Sequence, residues 1–114
     1  MTALISRDDL VAAIDTGTVT VVDALPGSYY DQQHLPGAVN LVEDDVADRA
    51  TNLVPDKATA VVTYCSNESC GNSAAVAHRL EQLGYTNVRK YAGGIQDWVE
   101  AGLPVETGQP ATTE

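Results

Sequence analysis

Apolar and polar positions follow two rhythms along this chain, and the switches between them outline its elements. SRDDLVAAIDTG places Leu10, Val11 and Ile14 on one helical face, with Ser6 and Asp9 as a capping pair and Gly17 as a stop. TVTVVDA, residues 18–24, is β-branched and apolar on both faces, as a buried strand requires, and AVVTYC, residues 60–65, reads the same way. NSAAVAHRLEQLGY sets Val76, Leu80 and Leu83 at helical spacing, with caps at Asn72 or Ser73 and a stop at Gly84. NVRKYA predicts a strand over 87–92, and GGIQDWVEAGLP a helix with Ile95, Trp98 and Val99 on one face, ended by Gly102 and Pro104. Between the first two strong strands, PGSYYDQQHLPGAVNLVEDD predicts a short helix, a Pro-Gly turn and a short strand GAVNL. Residues 44–54 predict a further helix of weak periodicity. Strands alternating with helices imply an open α/β sheet, mostly parallel, with helices on both faces. ETGQPATTE, after Val105, predicts a flexible tail over 106–114 behind a single domain over 1–105.

At 114 residues the chain suits one domain, and its scarcity of aromatics, with no Phe, leaves the core to Val, Leu, Ile and Ala. Its formal net charge of -10 repels phosphate backbones, which argues against nucleic-acid partners. No stretch approaches a bilayer-spanning run, and MTALISRDDL has neither a basic start nor a long apolar core, so the expectation is a cytoplasmic protein without membrane contact. In a reducing compartment, the chain's two cysteines are better suited to catalysis, redox chemistry or metal binding than to a permanent staple.

Both cysteines lie in YCSNESCGNS, between the strand ending at Cys65 and the best-defined helix. Ligand sites of open α/β sheets form there, beyond the carboxyl ends of strands and at helix N-termini, where N–H groups favour thiolate over thiol. Zinc would need ligands beyond Cys65 and Cys70, and His34 and His78 lack the compact spacing of a structural site; no metal or other cofactor is expected. His34 is expected to make a structural hydrogen bond, Asp23 to cap backbone donors in the loop after its strand, and Trp98 to sit in the core.

Taken together, VVDA, HLPGAVNL, YC with its short loop to Ser73, AAVAHRL, GYTNVRKY, GGIQDW and AGLP resemble a single-domain rhodanese, of the sulfurtransferase family, from about Leu4 to Pro104. The resemblance implies a five-stranded, mostly parallel sheet and a loop cysteine that carries sulfur as a persulfide, here Cys65. The anion- and persulfide-binding positions would be Ser66, Asn67, Glu68, Ser69, Gly71, Asn72 and Ser73, acting through loop N–H groups, a Ser73 hydroxyl and a tight backbone path at Gly71. Donors would be thiosulfate, a small persulfide or a persulfide-carrying protein; acceptors would be a thiol or a cyanide-like nucleophile.

The loop departs from the common rhodanese pattern in being longer, in lacking Arg and Lys, and in holding Glu68 and Cys70. Without a loop-end arginine it lacks the bidentate clamp of the related cysteine phosphatases. Glu68 and the net charge disfavour capture of free thiosulfate. Cys70 has three chemical readings: a thiol that resolves the Cys65 persulfide to a disulfide, a thiol that protects Cys65, or the nucleophile itself. The class-distinct alternative is a binding or redox-sensing module built on a reversible Cys65–Cys70 disulfide.

Overall fold

Five parallel strands form the frame of the computed structural model, which describes residues 3–67 and 69–107. In chain order the elements are β1 (Ala3–Leu4), α1 (Arg7–Thr16), β2 (Thr20–Asp23), α2 (Gly27–Gln32), β3 (Val39–Asn40), a 3-10 turn (Glu43–Asp45), α3 (Val46–Leu53), β4 (Val61–Tyr64), α4 (Asn72–Gln82), β5 (Val88–Tyr91) and α5 (Gly94–Glu100). The strands lie in the order β1-β5-β4-β2-β3, so β4 is central. Thr20 registers with Val61, and Tyr64 with both Asp23 and Tyr91.

The period-2 alternation of the strands divides the core between two faces. Val21, Val62, Tyr64 and Tyr91 pack with Leu10 of α1, Tyr30 of α2 and Ile95 and Trp98 of α5. On the other face, Val22, Val61 and Val88 meet Val46 and Ala50 of α3 and Val76, Ala77 and Leu80 of α4. Both faces being covered explains why the strands read as continuous apolar runs.

The caps of α1 are those expected: the Ser6 hydroxyl accepts from the Asp9 N–H at 3.1 Å, and Gly17 closes the helix at φ 69°. Three local expectations change. The helix start near Asn72 carries no side-chain cap; Gly71 holds the cap position, and the Asn72 amide instead donates to the Ala24 carbonyl at 3.3 Å, tying the β4 loop to the β2 loop. Val99 is 43% exposed, because only Ile95 and Trp98 of α5 reach the sheet. The helix expected over 44–54 begins with the 3-10 turn, and β1, an edge strand of two residues, has no counterpart in the apolar pattern.

Glu106, counted with the tail, exchanges backbone hydrogen bonds with His34 at 2.9 and 2.8 Å; residues 108–114 of that tail lie outside the described residues. Among the described residues, no helix is long and apolar enough to cross a membrane.

Candidate active site

The chain after β2 turns to α2 on one face of the sheet and the chain after β4 to α4 on the other, so a crevice opens where these adjacent strands end. Cys65 is the first residue past β4 and is 1% exposed. Its backbone is fixed from above: the Ile95 N–H donates to the Cys65 carbonyl and the Gln96 N–H to the Ser66 carbonyl, both at 2.9 Å. This clasp depends on Gly94, which sits at φ +66°; a Cβ there would lie 2.5 Å from the Cys65 carbonyl oxygen and 2.7 Å from the Ser66 carbonyl carbon. The Gly93-Gly94 turn therefore borders the cysteine loop.

Within the loop, the Asn67 side chain accepts from the Ser69 N–H at 2.9 Å and donates to Gln96 at 3.2 Å, while the Cys70 N–H donates to the Asn67 carbonyl at 3.1 Å. These bonds fold the chain back so that Cys70, partly buried, packs against the core cluster containing Cys65. The two cysteines are joined as a disulfide, with Cα atoms 6.1 Å apart, within the ordinary span of such a bond. The Ser66 hydroxyl stands 4.0 Å from the Cys65 sulfur. Ser73 is buried in the first turn of α4, its carbonyl accepting from the Thr63 hydroxyl at 3.0 Å. Gly71 needs no glycine: its φ is -89° and a Cβ there would meet nothing. Glu68 lies outside the described residues. The opening N–H groups of α4, at Asn72, Ser73 and Ala74, have no intrahelical acceptors, so this end of the loop is a donor surface.

The surroundings are acidic. A groove of about 380 Å³ beside the loop is lined by Asn67, Ser69, Gly93, Gln96, Asp97 and Glu100. A second, about 480 Å³, runs past Ala24 and Asn72 to Glu43, Asp44 and Asp45. Asp97 is held below the usual carboxylate range first by the Tyr91 hydroxyl that donates to it, and also by Arg7, which pairs with it at 3.1 Å. Arg79 of α4 pairs with Glu43 at 3.2 Å. Among the described residues, no three His, Cys, Asp or Glu side chains converge as a metal site.

Behind the loop lies a buried polar cluster. Asp23 is fully buried; it accepts from the Tyr64 hydroxyl at 2.5 Å and from the Leu25 N–H at 2.8 Å, the loop cap expected of it. Burial raises its pKa, with the Tyr64 and Leu25 hydrogen bonds and His34 opposing. His34 stacks on Tyr30 with ring centroids 3.9 Å apart, and its Nδ1 meets the Tyr30 carbonyl at 2.7 Å, so this nitrogen donates. The Tyr30 hydroxyl, which donates to the Ala38 carbonyl at 2.5 Å, is pushed up to about 12 first by burial and then by nearby carboxylates, led by Asp23. The hydrogen bonds of these groups run to one another and to loop backbone, so they position the loops.

A family model for the rhodanese-like domain matches residues 6–101. The chain belongs to this family. As a rhodanese-like domain it is 35% identical over 92% of its length to a thiosulfate sulfurtransferase, GlpE, of Pseudomonas entomophila, covering 91% of that protein. It is also 35% identical, over 93% of its length, to the HTH-type transcriptional regulator Rv0324 of Mycobacterium tuberculosis, but spans only 46% of that protein. Among solved structures, the BH2092 protein of Bacillus halodurans superposes with a TM-score of 0.85 at 25% identity, covering 99% of this chain and 82% of that one. The five-stranded parallel sheet with helices on both faces is thus the rhodanese-like fold.

Proposed function

We propose that this rhodanese-like domain is a sulfurtransferase that carries sulfane sulfur as a persulfide on Cys65. The observation that carries the reading is the placement of Cys65 directly beyond the central strand, backbone-clasped by α5 and followed by a loop that ends in the opening N–H groups of α4, which have no intrahelical acceptors. In the reduced protein the Cys65 thiolate attacks the sulfane sulfur of the donor. The donor's S–S bond breaks, and sulfite leaves from thiosulfate, or a thiolate from an organic persulfide. An acceptor thiolate or cyanide then bonds the outer sulfur, and Cys65 leaves as thiolate. Loop and helix N–H groups stabilise the terminal sulfur anion. The acidic grooves on both sides favour a neutral or protein-borne persulfide over the thiosulfate dianion. Location in the cytoplasm and the absence of nucleic-acid partners belong to this proposal.

A second reading has its own support. The disulfide between Cys65 and Cys70, together with the similarity to part of a transcriptional regulator, favours a redox-sensing or binding module that never transfers sulfur. Thiocyanate production separates the two. With an organic persulfide as donor and cyanide as acceptor, reduced Cys70→Ser should form thiocyanate faster than the two reagents do alone, and Cys65→Ser should not. Thiocyanate formed no faster by Cys70→Ser than by Cys65→Ser would leave the module standing.

A further inference from the structure

We infer that the domain has a second outlet for its sulfur: Cys70 expels the terminal sulfur of the Cys65 persulfide as hydrosulfide, making the protein a sulfide-releasing persulfide reductase as well as a transferase. The inference rests on the Cys65 persulfide proposed above and follows from which sulfur each nucleophile can reach. An acceptor from solution meets the outer sulfur, because Cys65 itself is 1% exposed. Cys70 is placed to bond Cys65 Sγ, the inner sulfur, since the two are joined in the structure. Attack on the outer sulfur transfers it; attack on the inner sulfur discards it.

The step balances without an added reagent. The Cys70 thiolate forms a bond to Cys65 Sγ, the bond from Sγ to the terminal sulfur breaks, and that sulfur leaves with the bonding pair and takes up a proton from water to become hydrosulfide. The two sulfurs that form the disulfide are oxidised as the departing sulfane sulfur is reduced. A dithiol then resets the loop and is itself oxidised to a disulfide. Its attack falls on Cys70 Sγ, because Cys70 is partly exposed and Cys65 is not, and Cys65 departs as the thiolate that takes up the next sulfur. The Asn67 bonds that fold the loop hold the second thiol at an effective concentration well above that of free thiols.

The test is a single turnover. Reduced wild type, Cys70→Ser and Cys65→Ser are freed of reductant, exposed to thiosulfate or a small organic persulfide and desalted; released sulfide and intact mass are then followed with no acceptor added. Wild type should release sulfide about tenfold or more above Cys70→Ser and end at the mass of the internal disulfide. Cys70→Ser should retain a one-sulfur adduct, and Cys65→Ser should do neither. A wild type that keeps its adduct as stably as Cys70→Ser, with no sulfide, would overturn this inference and leave the transferase intact. No adduct on Cys70→Ser and no sulfide from wild type would overturn both.

Discussion

Tyr64 and Cys65 are consecutive, both are buried, and both stand at the end of the central strand, yet their polar atoms are held in opposite ways. The Tyr64 hydroxyl is filled: it donates to Asp23 at 2.5 Å and accepts the Leu35 N–H at 3.1 Å. The Cys65 sulfur has a hydroxyl at 4.0 Å and a second sulfur that a reductant can remove. What is fixed at Cys65 is the backbone, by the two N–H groups of α5. The contrast separates scaffold from site: a satisfied buried network holds the strand ends, while the adjoining side chain is left free to change bonding partners.

The sharpest way to break this arrangement is through its two loop-flanking glycines. Gly94→Val puts a branched side chain at positive φ against the Cys65 and Ser66 carbonyls and should cost about 3 kcal/mol, with loss of sulfur loading by Cys65. Gly71→Ala, with ordinary φ and open space, should change stability by less than about 0.5 kcal/mol. Urea titrations of the two variants check this; equal effects would refute the clasp.

The scaffold network comes next. Asp23→Ala strands the Tyr64 hydroxyl and the Leu25 N–H and should cost about 2 kcal/mol in the same titration. Asp23 also predicts a pH signature. Its folded pKa is raised above the ordinary 3.8, mainly by burial, so its contribution to stability is whole below that value. The contribution declines as pH rises from there through the raised folded pKa, because the unfolded chain ionises first. Asp23→Asn should abolish this decline, so wild type should lose ground to the variant as pH rises; a wild-type advantage that grows with pH would contradict the assignment.

Smaller effects sharpen the site side. Asn67→Ala, which loses the bonds to Ser69 and Gln96, should cost about 1 kcal/mol or less yet slow closure of the Cys65–Cys70 disulfide, read by thiol trapping during mild oxidation. Arg7→Ala removes an exposed pair with Asp97 and should cost under about 1 kcal/mol, vanishing in high salt.

Much of the fold was legible because its signals are local. Ser6 and Gly17 bracket α1, the runs VTVV and AVVTY could satisfy only a doubly covered sheet, and Asp23 caps the loop that follows it. The motifs around the cysteines carried the family. What stayed hidden depends on contacts distant in sequence. β1 pairs with β5, the Tyr64 hydroxyl reaches Asp23 across 41 positions, and Glu106 returns to His34. The N–H groups that clasp Cys65 come from α5, where nothing but the paired glycines hinted at a close approach. The side chain of Asn72 bridges to the β2 loop instead of capping its own helix, a choice that only the neighbouring strand end could dictate.

The central claim is that Cys65 is the sulfur carrier. Its most direct test is peptide-level mass mapping of reduced Cys70→Ser after exposure to an organic persulfide, with thiol alkylation and with Cys65→Ser in parallel. The account predicts one added sulfur on the peptide bearing Cys65, removed by cyanide, and none on Cys65→Ser. An added sulfur on Cys70 of Cys65→Ser, with Cys70→Ser left unmodified, would contradict it.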